Sequence, residues 1–339
     1  MASIGKKDIV VIGGSAGSSA VLKRLLGDLP RDLPASVFVS THIPTHATNF
    51  LAEMLDVGAS MPVSRAVHGQ PIERGHVYVA APDRHLLLID GTIRLGEGPR
   101  ENMARPSIDP LFRSAALSYG PRAVGVVLTG MLNDGAAGLH AIKACGGTAV
   151  VQHPLDAEAD QMPLSALEAT DVDHVVSAAA LGSLLASIVQ SDAGAAIIPS
   201  DDLWLEVEIA AGVRLGSLNL RQIATPSPLS CPDCHGVLSE VNGSRPLRYR
   251  CQIGHAHTAE SLAANIDEVD DAIRVAMRVM EERVTLVERM ALDARQTGRI
   301  AVAELYDARG DEYRRYATTL RDAAVSALRL GRPPRERDA

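Results

Sequence analysis

The chain has 339 residues, 46% of them hydrophobic and 22% charged, which supplies one large or two medium apolar cores and excludes wholesale disorder or a fibrous repeat. Acidic residues outnumber basic ones by 41 to 33, so the molecule as a whole has no broad cationic field, and neither nucleic acid nor an anionic membrane is an expected partner. The short apolar run after Lys7 is cut by glycines before it reaches the length of a secretory core, and no run approaches the roughly 18 apolar residues of a membrane span. With three of its four cysteines crowded between positions 231 and 251, the chain is expected to be soluble and cytoplasmic, without a secreted disulfide framework.

From Asp8 to about Ile188, short β-branched runs alternate with helical stretches, the pattern of a parallel sheet covered on both faces. Strands are predicted at Ile9–Ile12, Val37–Ser40, His76–Ala80, Ala123–Leu128, Thr148–Val151 and His174–Val176, with Leu86–Ile89 and Thr92–Leu95 paired across Asp90-Gly91 as a hairpin. Helices are predicted at Ser18–Leu26, Thr48–Leu55, Ile108–Tyr119, Gly138–Ala144, Pro163–Ala169 and Leu181–Val189. The expected fold is a doubly wound, mostly parallel α/β domain over residues 1–190, with ligands beyond the carboxyl ends of its strands. Residues 191–230 read as a linker segment, within which Leu203 to Leu220 carries only a weak pattern and the TPSPLS run at 225–230 has the composition of a linker. A small zinc ribbon is expected over 231–257 and an α-helical hairpin over 258–330, followed by a frayed tail at 331–339. The hairpin seam is predicted at Leu262, Ile266, Val269, Ile273, Met277, Met280, Val284 and Val287, facing Val302, Tyr306, Tyr313, Tyr316 and Leu320.

The segment Gly13-Gly14-Ser15-Ala16-Gly17 fits G-x-S-x-G between a strand and a helix, where small neighbours allow the sharp turn that lifts a serine hydroxyl clear of a sheet. A phosphate-cradling loop is the competing reading, but Ser15 stands where a dinucleotide fingerprint needs glycine, and the Gly-Lys-Ser/Thr ending of a P-loop is missing. A serine needs a histidine to take its proton and a carboxylate to fix the histidine tautomer. His42 closes the second predicted strand and Asp134 follows the strand AVGVVL, so all three groups are expected at one sheet edge, from three strand ends. Each has a plainer alternative: a core or solvated histidine, and an aspartate capping the helix near Gly138. Backbone N–H groups at Met131 and Ala16 are the expected oxyanion donors. A zinc pair of His42 with His46 is disfavoured by Pro44 between them.

VIGGSAG, FVSTHIP, RPSIDPLFRSAA at 105–116 and VGVVLTGMLNDGAAGL at 124–139 closely resemble the catalytic domain of CheB-type protein-glutamate methylesterases, over roughly residues 8–190. The resemblance implies a triad of Ser15, His42 and Asp134, Met131 in the oxyanion region, and no cofactor in that site. It further implies hydrolysis of glutamate γ-methyl esters on methylated chemoreceptor-like helical proteins, with glutamine deamidation as a companion activity. Ser18 replaces a glycine usual in that family and is expected to be tolerated at the helix start, or used there as a cap. Typical members place a receiver domain before the esterase, whereas this sequence begins almost at the first catalytic strand, so control by phosphorylation in cis is not expected.

Cys231-Pro-Asp-Cys234, then Cys251-Gln-Ile-Gly-His255, place three thiols and an imidazole in two knuckles, as a structural tetrahedral zinc requires. His257 is an alternative fourth ligand and His235 a weaker one, while Cys145 reads as a buried core thiol. Arg245, Arg248 and Arg250 between the knuckles suit local nucleic-acid binding or, at least as well, a protein contact. Ribbon and hairpin are expected to tether or regulate the esterase, with the helices offering a seam to a signalling partner. The alternative reading of the whole chain is a non-catalytic signalling adaptor.

Overall fold

A computed structural model of the protein describes residues 5–42, 50–213, 217–264 and 267–330. Pro44, His46, Ile266 and the tail at 331–339 lie outside the described residues, as does the side chain of Val269. The chain divides into two compact units, Met1–Leu262 and Ala263–Ala339.

The first unit opens with β1 (Ile9–Gly14), α1 (Ser18–Asp28), β2 (Ser36–Thr41), α2 (Leu51–Asp56), β3 (Val63–Arg65) and β4 (Val77–Val79), then a hairpin of β5 (His85–Ile89) and β6 (Thr92–Gly96). It continues with α3 (Ile108–Tyr119), β7 (Ala123–Val127), α4 (Ala136–Ala144), β8 (Thr148–Gln152), α5 (Gln161–Ala169), β9 (His174–Val176) and α6 (Ala178–Ile188). Seven strands form one sheet in the order β3-β4-β2-β1-β7-β8-β9, every neighbouring pair parallel. The doubly wound reading therefore holds. Alternation along β1 sends Ile9 and Val11 to one core, with Phe112 of α3 and Leu139 of α4, and Val10 and Ile12 to the other, with Leu22 of α1 and Leu185 of α6. The inner strands β1, β2, β4, β7 and β8 are buried on both faces, which is why they read as continuous apolar runs, whereas the edge strands β3 and β9 are half-buried or exposed. The edge strand β3 was not predicted, because three residues are too few to display a period.

After α6 come α7 (Asp201–Ala211), α8 (Ser217–Ile223) and a second sheet of β10 (Ala224–Ser230), β11 (Val237–Val241), β12 (Arg248–Cys251) and β13 (Ala256–Thr258), antiparallel in that order, closed by α9 (Ala259–Ala264). This departs from the expected linker. The α7 helix is capped at Ser200, whose hydroxyl accepts from Leu203 N, and it buries Leu205, Glu206, Val207 and Ile209 together; that spread of buried positions erases the one-sided stripe by which a helix is recognised. Residues 225–230 form the outermost strand of the second sheet, where Pro226 and Pro228 are tolerated because an edge strand need not donate at every position.

In the second unit, α10 (Asp267–Gln296) and α11 (Ile300–Leu330) form an antiparallel hairpin. Arg295 pairs with Asp307, Arg314 with Glu288 at 2.9 Å and Arg321 with Glu281 at 2.9 Å. On α10 the half-buried Met280 and Val284 lead into buried Val287, Ala291 and Ala294, a three-four spacing. On α11 the seam is Ala303, Gly310 and Ala317 with Tyr306 and Tyr313, whereas Val302 and Tyr316, predicted to face inward, are exposed. Small residues allow close helix approach but carry little hydropathy, so the larger side chains one position away mislead the periodicity. No described helix is long and apolar enough to cross a membrane.

Candidate active site

Strand order reverses at β1, which is followed by β2 on one side and by β7 on the other, and Ser15, His42 and Asp134 stand beyond the carboxyl ends of these three adjacent strands. The elbow is built from glycines. A Cβ on Gly13 would lie 2.2 Å from Ile108 Cγ2, one on Gly14 would lie 2.6 Å from Ser18 Cβ, and Gly17 has φ +76°. Ser15 N donates to the Thr129 carbonyl at 2.9 Å, locking the elbow to the loop after β7. Ser18 starts α1, but its hydroxyl donates back to the Ser15 carbonyl at 2.7 Å and the N-cap is Gly17, so the expected side-chain cap is not formed.

Ser15 Oγ lies 3.1 Å from His42 Nδ1, and His42 Nε2 lies 2.7 Å from Asp134 Oδ2. With Nε2–H donated to Asp134, Nδ1 is the lone-pair nitrogen facing the serine. Burial alone would lower the His42 pKa, but the hydrogen bond and charge of Asp134, with a smaller contribution from Asp109, leave it raised above 6.5.

Asp134 does not cap α4. Its buried carboxylate accepts from Ile108 N at 2.7 Å and Asp109 N at 3.2 Å, at the positive end of α3, and from Ser107 Oγ at 2.8 Å and Asn102 Nδ2 at 3.0 Å. Burial would raise its pKa, yet the hydrogen bond and charge of His42 and these donors hold it at about 2. Asp109 makes the complementary contact, its carboxylate accepting from Gly135 N at 3.0 Å and Gly138 N at 2.7 Å at the start of α4. Burial, then the Asp134 charge, push its pKa up to about 7. Ser107 and Asp109 lie inside the RPSIDPLFRSAA run without having been singled out, and nothing in the local sequence marks Asn102. Ala16 and Met131 are both exposed, and Met131 sits between anchored neighbours: Gly130 N donates to the Ala159 carbonyl at 3.0 Å and Leu132 N to Gln161 Oε1 at 2.7 Å.

A family model described as CheB methylesterase matches residues 10–185. The chain belongs to the CheB methylesterase family. A relative from Leptospira interrogans, named for protein-glutamate methylesterase and protein-glutamine glutaminase, is 39% identical over 186 residues, covering 55% of this chain and 96% of the relative. One from Anaeromyxobacter dehalogenans with the same pair of names is 41% identical over 169 residues, half of each chain. The crystal structure of the Thermotoga maritima CheB methylesterase catalytic domain superposes with a TM-score of 0.52 at 33% identity, covering 55% of this chain and 99% of that one.

Beyond the part shared with the CheB methylesterase family lies a second cluster. Cys231, Cys234, Cys251 and His255 bring their donor atoms within 4.8 Å of one another. Cys234 Sγ is 3.6 Å from Cys251 Sγ, which is 3.5 Å from His255 Nδ1. Two tight turns present them: His235 N donates to the Cys231 carbonyl at 2.7 Å, with φ +58° at His235, and Gly254 N to the Cys251 carbonyl at 2.9 Å. His257 belongs to an overlapping group with Cys231 and Asp233, its Nε2 lying 3.1 Å from Asp233 Oδ2, while His235 joins neither group. Cys145 is buried in the sheet core, away from both.

Two of the three ribbon arginines are buried. Arg248 meets both oxygens of Glu206 at 2.6 and 2.7 Å, and Arg250 bonds Glu101 and Glu206 at 3.1 Å each. Arg113 of α3 bonds Glu101 as well and lies 3.4 Å from Glu206. The nucleic-acid option for Arg248 and Arg250 is thereby removed, since both are consumed in an internal ion network joining the ribbon to α3 and α7.

Proposed function

We propose that this chain is a serine esterase that hydrolyses glutamate γ-methyl esters on chemoreceptor-like helical proteins, with glutamine deamidation as a companion reaction. The observation that carries the reading is the continuous contact chain from Ser15 through His42 to Asp134 at the sheet's switch point. His42 Nδ1 takes the hydroxyl proton as Ser15 Oγ attacks the ester carbonyl carbon, and Asp134 supports the imidazolium that forms. Backbone N–H groups at Ala16 and Met131 receive the oxyanion. The carbon–oxygen bond to the methoxy group then breaks and methanol leaves with the proton from His42. Water, deprotonated by the same nitrogen, attacks the acyl-enzyme, releases glutamate and restores Ser15.

The cytoplasm is the proposed setting, where thiols stay reduced. Cys231, Cys234, Cys251 and His255 are proposed to hold one structural zinc: three thiols and an imidazole are the donor set that ion takes, and two sulfurs are buried with no disulfide partner. Bound there, the ion would convert binding energy into folding energy of the ribbon.

Methanol release from methylated receptor-like helices tests the reaction. Ser15→Ala is expected to lower it by about 10⁴-fold or more and to abolish fluorophosphonate labelling. Wild-type protein that releases no methanol from any methylated protein, or labelling that survives the substitution, overturns the proposal. For the ribbon, one zinc per chain is expected by elemental analysis, and its retention in a Cys231→Ala/Cys251→Ala variant would refute the ligand set.

A further inference from the structure

Strand β13 runs directly from the metal-type cluster to the candidate active site. Ala256, the residue after His255, accepts a hydrogen bond from Asn102 N at 2.7 Å and donates to the Arg100 carbonyl at 3.2 Å, forming a parallel bridge with the 100–102 segment. Two residues on, Thr258 N donates to Asn102 Oδ1 at 3.3 Å, and Thr258 Oγ1 donates to Asn133 Oδ1 at 2.7 Å. Asn133 directly precedes Asp134, and its Nδ2 also donates to Glu260 Oε2 at 2.9 Å. Asn102 thus has its backbone and its amide oxygen held by the ribbon, while its amide nitrogen points to Asp134 Oδ1 at 3.0 Å and Asp109 Oδ2 at 3.2 Å.

The orientation is specified twice over. An amide whose oxygen already accepts from Thr258 N must present its two N–H groups on the other side, where its nitrogen bridges two buried carboxylates that also accept from Ser107 Oγ and from the backbone N–H groups of Ile108, Asp109, Gly135 and Gly138. The backbone pays a steric cost for it, since Asn102 and the following Met103 both have left-handed φ, 51° and 62°.

We infer that Asn102 and Asn133 are positioning residues of the esterase, both held by ribbon strand β13, so that the C-terminal ribbon helps to orient Asp134 toward His42. The inference rests on the serine-esterase reading. Asn102 lies within residues 10–185, the span matched by the family model, whereas Ala256 and Thr258, which hold it, lie beyond that span. The ribbon's contact with Asn102 reaches the reaction through the Asp134 carboxylate, which Asn102 Nδ2 bonds.

The test uses full-length protein and the rate of fluorophosphonate labelling at Ser15, followed from pH 5.5 to 9 beside thermal melting. Asn102→Ala is expected to slow labelling about 10-fold or more and to displace the pH midpoint from that of the wild type, and to lower kcat for methanol release with little change in KM. Thr258→Ala, which leaves Asn102 in place and removes the Asn133 contact, is expected to slow labelling several-fold, with recovery in Thr258→Ser; it serves should Asn102→Ala fail to fold. Folded Asn102→Ala with wild-type rate and midpoint, or Thr258→Ala labelling at the wild-type rate, overturns the inference. Wild-type protein that labels at Ser15 but releases no methanol removes the methyl-ester reading alone; wild-type protein whose Ser15 does not label overturns both.

Discussion

At the scale of single residues, the two carboxylates behind His42 divide their duties through surroundings and not through type. Asp134 is held at about 2 by donors that solvate its charge, whereas Asp109, with the Asp134 charge beside it, is pushed up to about 7. The base form of His42 drives the chemistry, and a histidine whose pKa is raised stays protonated to higher pH, so activity is lost as pH falls through that raised value. The pH profile of kcat/KM is therefore expected to rise with a midpoint above 6.5. Because the Asp109 charge contributes to raising His42, Asp109→Asn, which keeps an oxygen to accept from Gly135 and Gly138, is expected to move that midpoint downward. A midpoint that stays put or rises would show that Asp109 is neutral across the working range.

At the scale of elements, the site depends on backbone approaches that only glycine permits. Gly130, in the loop after β7, faces both the serine elbow and α5: a Cβ there would lie 2.0 Å from Met162 Sδ and 2.9 Å from Ser15 Cβ. The methionine can yield, but the serine is fixed by Gly14, Gly17 and its own bond to Thr129. Gly130→Ala is expected to cost about 1–3 kcal/mol in denaturant unfolding, as overpacking does, and to slow Ser15 labelling by more than that destabilisation explains. A variant with wild-type labelling would mean that the elbow tolerates displacement. The run LTGMLNDG was legible as a loop, but the need for glycine at 130 was not, since Met162 is remote in the chain.

At the scale of the whole molecule, the strongest tie between ribbon and esterase is a buried set of charges, Arg113, Arg248 and Arg250 against Glu101 and Glu206. Glu206 touches all three arginines, and the cationic surroundings hold its pKa well below the ordinary carboxylate value against the effect of burial. Removing one member of a buried pair strands its partner, so Glu206→Ala is expected to destabilise by about 3–5 kcal/mol, with Glu206→Gln milder, measured by chemical denaturation of the first unit. A loss under about 1 kcal/mol would show the arginines to be solvated. Being buried, the network should respond weakly to added salt.

What the chain order alone determined here was everything with a local period or a local spacing. The alternation of apolar runs specified the parallel sheet; G-x-S-x-G, the strand-end histidine and the loop aspartate marked one edge; two cysteine knuckles marked a donor cluster. Local steric and hydrogen-bonding rules act over a few residues, so such features survive being read without coordinates. What only the tertiary structure decided was which charges and amides meet across long separations. Arg248 and Arg250 looked like a basic surface until Glu206 and Glu101 were found against them, and Asn102 looked like nothing until Asp134 and Thr258 closed on it from either side. Buried polar groups must find partners wherever the fold supplies them, and that pairing is a property of three-dimensional proximity, for which neither spacing nor composition leaves a trace.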